Sequence, residues 1–289
     1  MDRMRIRPAP RGKSLSGPRS LRAGAIVLIA LFTVAPMLAT LLYSLATVWR
    51  RRPLPDGYTL QWWAATLSDQ AFLAAAGRSL LLALATVLLI NLLVLPPLYW
   101  SHVRNPRIRP VLQLAALIPF VLPGIVMAAA INRFVGLWPL TAGLQATSTL
   151  LLLSSVAVSF SAYLWAVDGA MRSARIASLC EAASTLGATP LYMLRRVVVP
   201  NIKHGIAIGS LLAFAGVIGE LALPRIITGS SFETIPLWQL RNMRGTDADP
   251  NAVAVSSLLL LALLFVFSVL VIRRSRGGIA GIIPTLEKD

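Results

Sequence analysis

Six apolar runs divide the chain, at residues 23–48, 79–100, 110–132, 148–167, 205–227 and 251–272. At about 20 residues or more, each can carry a helix through a hydrocarbon layer of roughly 30 Å. The pattern predicts an all-α polytopic membrane protein with six transmembrane helices. The first run is too long for the core of a cleaved signal peptide, so it reads as an uncleaved span with Pro36 as a kink. Pro96-Pro97 should close the second. In the third, Pro119 and Pro123-Gly124 should break or kink the helix, and irregular backbone at that depth has to be buried in protein or line a cavity. Between the first two runs, the stretch from Tyr58 through Trp62-Trp63 to Leu67 reads as a short helix whose tryptophans lie at headgroup level.

The second half has one sizeable polar and basic interruption, residues 171–204. It predicts a helix, a hard turn and a second helix. Ile176, Leu179, Ala183 and Leu186 recur at three- and four-residue steps and should form one apolar face. Gly187 follows as a residue able to take a left-handed C-terminal cap. Thr189 suits an N-cap and Pro190 the first helical position, while Pro200 after three valines should end the second helix. The result is a short helical knob pushed out of a membrane.

Composition agrees: 56% of the 289 residues are hydrophobic and only 13% charged, too apolar for a soluble globule. The net charge of +16 does not point to nucleic acid, because the basic residues sit in gaps between apolar runs and not on one folded face. Instead it sets orientation. Most of the 27 Lys and Arg residues fall in the basic tail 1–22, the link 101–109, the loop 171–204 and the tail 273–289. With six spans, the positive-inside rule then places these segments and both termini in the cytosol, leaving the Arg50–Arg52 triplet as a violation. The tail 1–22 can also attract anionic membrane lipid.

Catalytic chemistry is sparse. The lone Cys180 excludes an internal disulfide and predicts a free thiol; His102 and His204, far apart, make a metal site unexpected. No phosphate-binding Gly-rich loop and no nucleophile elbow is present, so this chain should hold no cofactor, and any ATP and Mg must sit on another chain. Glu220 is the carboxylate placed well inside a span, where a charge should face the bundle interior, a water-filled cavity or a cation such as Arg225 or Arg133. Asn91 and Asn132 are the other polar groups at depth, each better suited to an interhelical hydrogen bond than to a solute. Gly205, Gly209 and Ala213 form a ridge that lets helices approach closely.

The sequence Glu181-Ala182-Ala183, with Gly187, Val197, Val199 and Pro200 in register, resembles the EAA loop of ABC-importer inner-membrane permeases, which usually carry Ile and Leu at the two valine positions. Leu122-Pro123-Gly124, the stretch Gly219–Gly229 and Thr234-Ile235-Pro236-Leu237 look most like permeases of the polyamine, aminophosphonate and iron group. The resemblance implies that Leu179, Glu181, Ala182, Ala183, Leu186, Gly187 and Pro200 couple the spans to an ATPase. Glu220, Asn132, Pro123, Gly124 and Arg225 are the candidate residues of the solute pathway. The resemblance also implies two ATPase subunits, a second permease subunit with a heterodimer favoured, an external solute-binding protein, a bacterial inner membrane, and no enzymatic activity in this chain. In polyamine permeases an acid often stands near the position of Glu220, which suits a cationic solute, while Arg225 beside it argues as easily for an anion. Three rival readings compete. An ion-coupled secondary transporter would use Glu220, an intramembrane hydrolase would need a serine and a histidine at depth, and a membrane scaffold leaves the knob without a role.

Overall fold

The computed structural model describes residues 19–49, 54–139, 141–244 and 248–275. Arg50–Arg52, the tail 1–18 and the tail 276–289 lie outside them. The described residues are helical apart from short links and one isolated antiparallel bridge between Ala46 and Tyr58.

The chain forms two units, divided after Thr59. The first holds α1 (Arg19–Leu45), which passes through Pro36, and then a turn in which Thr47 N–H donates to the Gly57 carbonyl at 3.0 Å.

The second unit is a helical bundle. It begins with α2 (Gln61–Ser68), the short tryptophan-bearing helix, and α3 (Gln70–Val103). Asp69 caps α3 by accepting from the Ala71 amide at 2.9 Å. Pro96 and Pro97 do not close α3, which runs on to Val103 with both rings on its exposed face. At such a position the rings meet no neighbouring helix, and the remaining ladder carries the helix onward. The third apolar run is two helices, α4 (Ile108–Val121) and α5 (Gly124–Gly136), bent by 109° at Leu122-Pro123. Pro119 sits inside α4 without ending it. After a 3-10 turn at Ala142–Leu144, α6 (Ser148–Ser173) is capped by the Thr147 hydroxyl, which accepts from Leu150 N–H at 3.2 Å.

The polar segment then gives α7 (Ile176–Thr185) and α8 (Pro190–Tyr192), a π-helical stretch Met193–Val198 and α9 (Val199–Asn201). Pro200 does not end the element before it. The wider π turns upstream accommodate a residue with no N–H to give, and the chain bends by 77° only beyond Asn201. The fifth apolar run differs most from a simple span. Helix α10 (Lys203–Ile218) stops at Gly219, and α11 (Ala222–Ile227) begins three residues later. The short α12 (Ile235–Asn242) and the long α13 (Pro250–Ser275) follow. Four helices, α1, α3, α6 and α13, are long and apolar enough to cross a membrane, and up to six spans result if each bent pair counts as one.

The core of the bundle is α3, α6 and α10. Tyr163, Leu164 and Val167 of α6 are fully buried against Ile90, Val94 and Leu98 of α3 and Ala213 of α10. The small-residue ridge of α10 explains the closeness. A Cβ on Gly205 would overlap the Ala170 Cβ, and one on Gly209 would lie 2.9 Å from the Tyr163 ring. The ridge therefore serves packing inside this chain. Asn91, at depth on α3, ties all three helices together: Tyr163 Oη donates to its Oδ1 at 2.7 Å, and its Nδ2 donates to Ser210 Oγ at 2.9 Å.

Candidate functional site

Helix α7 is bracketed by two residues in the left-handed region, Arg175 at φ 49° before it and Gly187 at φ 79° after it. Its C-terminus closes as a Schellman motif: Ala188 N–H donates to the Ala183 carbonyl at 3.2 Å and Gly187 N–H to Ser184 at 3.0 Å. A Cβ on Gly187 would meet nothing within 4 Å, so the glycine is there for its backbone conformation and not for space. Thr189 then caps the next helix, its hydroxyl accepting from Tyr192 N–H at 3.4 Å, with Pro190 in the first turn.

The expected single apolar face of α7 is divided in two. Ile176 and Cys180 are fully buried, with Ala183 partly so, in the cluster that holds Leu98, Tyr99, Met193, Val198 and Ile202. Leu179 is exposed and Leu186 is 88% exposed, with Glu181 and Ala182 open beside them. Helical geometry accounts for this: 176, 180 and 183 share one stripe, whereas Leu186 is the C-cap and has left the helical path. Cys180 is a free thiol as expected, and burial pushes its pKa up. Around the turn, Ala183, Leu186, Gly187, Ala188, Thr189, Tyr192 and Val197 line an open cleft of about 550 Å³.

A buried ion network lies where α3, α4 and α6 meet. Asp168, 1% exposed, sits one turn before the end of α6. Arg109 clasps it with Nε to Oδ1 at 2.9 Å and Nη2 to Oδ2 at 3.0 Å. His102 Nε2 lies 2.7 Å from Oδ1, Arg172 Nε 3.3 Å from Oδ2, and Gln113 Nε2 donates at 3.5 Å. The sequence reading missed this cluster because it assigned its cations to membrane orientation. The available signal was a lone Asp at the end of an apolar run, with basic residues in the neighbouring link.

At the other end of the broken runs, two interruptions face each other. Pro123 is the N-cap of α5, and a Cβ on Gly124 would lie 3.9 Å from Glu220 Oε1. Glu220 sits in the α10–α11 break and not inside a span, and neither Arg225 nor Arg133 pairs with it. Its Oε1 accepts from the Ala222 amide at 2.7 Å and from Leu223 at 3.4 Å, so backbone amides and not a cation satisfy the carboxylate. Asn132 joins the same pair of half-helices, its Nδ2 donating to the Ile226 carbonyl at 3.5 Å, while its Oδ1 is buried without a partner. Thus Pro123, Gly124 and Glu220 are brought together, with Asn132 joining the same two half-helices about two turns further along α5. Arg225 is not. It lines a separate cleft of about 430 Å³ with Arg241, Arg244 and Glu233, where Arg241 Nε lies 3.2 Å from Glu233 Oε1.

The helical bundle, with its two broken apolar runs and capped helical knob, belongs to a transport permease subunit, as a family match shows. Residues 98–275 match the model of the binding-protein-dependent transport system inner membrane component, and the chain belongs to that family of ABC-importer permeases. It is 29% identical over 248 residues to the putrescine transport system permease protein PotI of Escherichia coli K12, covering 77% of this chain and 80% of that one. It is 33% identical over 161 residues to the molybdenum transport system permease protein ModB of Mycobacterium bovis, 53% of this chain and 60% of that one. The crystal structure of a bacterial ABC transporter involved in the import of the acidic polysaccharide alginate has a chain of the same fold. The TM-score is 0.61 at 16% identity, covering 91% of this chain and 99% of that chain.

Proposed function

We propose that this permease works in an ATP-driven importer and passes a small polar solute, polyamine- or aminophosphonate-like, from an external binding protein into the cytosol. The observation that carries the reading is the division of α7. Ile176 and Cys180 anchor it in the bundle, while Leu179, Glu181, Ala182 and Leu186 face outward. A helix fixed on one side and open on the other can receive a push from a docked partner and pass it to α3 and α6. That partner is a pair of ATPase subunits, which hold the ATP and magnesium; this chain needs no cofactor. Ala182 and Ala183 keep the helix slim, Leu179 and Leu186 give apolar anchorage, Glu181 a charged edge, and Gly187 and Pro200 set the exits.

In the same reading a second permease subunit, as a heterodimer, completes the pathway, and both termini lie in the cytosol. The facing breaks at Pro123-Gly124 and Glu220, with Asn132 about two turns further along α5, form this chain's share of the route, and Arg225 marks the rim of its outer mouth. Similarity to a permease named for putrescine and the acid at Glu220 favour an amine-bearing solute. The rival, ion coupling through Glu220, is disfavoured because Oε1 is already committed to two amides.

The test is a mild-detergent pull-down of the tagged full-length chain, with co-purifying subunits identified by mass spectrometry and ATP hydrolysis assayed. An ATPase should come along and the fraction should hydrolyse ATP. A chain that purifies alone and moves solute on an ion gradient without ATP sinks the proposal.

A further inference from the structure

Helices α10 and α13 lie side by side, and Phe214 stacks on Phe267 with 3.8 Å between ring centroids. Between them opens a cavity of about 290 Å³. Away from its mouth it is lined by Val87 of α3, Ile206 and Ala207 of α10, and Phe267 and Val271 of α13, with Ser210 of α10 the one polar side chain among them. At the end where α10 begins and α13 finishes, the lining changes to Lys203, Arg274 and Ser275. Neither Lys203 nor Arg274 has a carboxylate within ion-pairing distance among the described residues.

The slot is apolar along its length but for Ser210, and charged at one end. From Lys203 to Ser210 it follows roughly 10 Å of helix, and in the six-span reading proposed above that charged end meets the cytosolic headgroups. Ser210, whose hydroxyl already accepts from Asn91, leaves water few partners in this slot, and two unpaired cations at its mouth call for a negative group. We propose that this cavity binds one anionic phospholipid, with an acyl chain lying along Val87, Ile206, Ala207, Phe267 and Val271 and the phosphate held between Lys203 Nζ and the Arg274 guanidinium. Arginine's planar fork suits two phosphate oxygens and the lysine ammonium a third. A zwitterionic lipid brings its own ammonium to the same two cations and is repelled there. A free phosphate engages the cations but leaves the slot empty, and an apolar helix of another chain fills the slot but leaves the cations unpaired.

Native mass spectrometry of the full-length chain, purified in detergent and stripped of lipid, tests this. Phosphatidylglycerol and phosphatidylcholine with identical acyl chains are the probes. The first phosphatidylglycerol should bind about tenfold or more tightly than phosphatidylcholine. Lys203→Glu with Arg274→Glu should abolish that preference, whereas Arg104→Glu with Arg107→Glu, the same charge change on exposed residues elsewhere, should keep it. Ala207→Trp, which fills the slot without touching the charges, should weaken binding of both lipids. Millimolar inorganic phosphate should not displace the phosphatidylglycerol. Equal binding of the two lipids overturns the proposal. So does a preference that survives the Lys203/Arg274 reversal, displacement by phosphate alone, or a chain dimer that excludes lipid.

Discussion

Arg109 grips Asp168 with two parallel hydrogen bonds, Nε to Oδ1 at 2.9 Å and Nη2 to Oδ2 at 3.0 Å, across the junction of α4 and α6. Eight residues after that aspartate α7 begins, so the clasp fixes the base on which the knob stands. His102 of α3 completes the tie, and three spans are held at one carboxylate.

Removing the charge at this junction should be severe. Asp168→Asn leaves Arg109 and Arg172 facing a neutral amide, and breaking a buried pair by removing one partner costs about 3–5 kcal/mol. Thermal unfolding of the purified chain should show a large drop in midpoint. Arg109→Lys, which keeps the charge and loses the two-point grip, should fall between that variant and the native chain. Equal midpoints for Asp168→Asn and the native chain would show that the network contributes nothing.

The close approach of α10 and α6 makes a second prediction. Gly205→Ala places a Cβ against that of Ala170 and should cost about 1–3 kcal/mol through overpacking, lowering both midpoint and membrane abundance. Ala170→Gly in the same chain should restore most of the loss. Failure of the second substitution to rescue the first would move the strain elsewhere.

Glu220 separates two roles by variant. Gln at this position keeps an Oε1 acceptor for the Ala222 amide, so Glu220→Gln should leave stability near native while changing apparent solute affinity. Glu220→Ala loses the cap as well and should cost about 1 kcal/mol in addition. Unchanged uptake by Glu220→Gln would leave the side chain with capping alone.

Thiol chemistry reads the two faces of α7. Burial raises the Cys180 pKa, so its thiolate is scarcer at neutral pH than that of an exposed cysteine, and the rate of maleimide labelling should keep rising with pH above the ordinary thiol range. In a Cys180→Ser background, Leu186→Cys should label fast in the free permease and slowly once an ATPase is docked. Equal labelling of Leu186→Cys with and without the ATPase would remove it from the docking face.

Much of this was legible in the chain. Apolar runs announce spans because hydrocarbon demands them, and the caps at Gly187 and Thr189 announce themselves because few residues can take those positions. The break before α11 was hidden: Gly219-Glu220-Leu221 lies inside an apolar stretch, and hydropathy does not register a missing turn of helix. The Asp168 network was hidden for another reason. Its partners come from three helices, and only tertiary packing brings His102, Arg109 and Asp168 to one point. The division of α7 lay in between, since the 176-180-183 stripe was present but an apolar Leu186 drew the expected face off course.

The central claim is that α7 couples these spans to ATP hydrolysis, and Gly187→Asp tests it most directly. Open space surrounds the glycine Cβ position, so the variant should stay in the membrane with only a modest backbone penalty at φ 79°. The measurement is solute uptake by proteoliposomes holding the complete transporter, with ATP inside and the binding protein outside. Abolished uptake with the permease still at native abundance is the predicted result; uptake at the native rate would contradict the account.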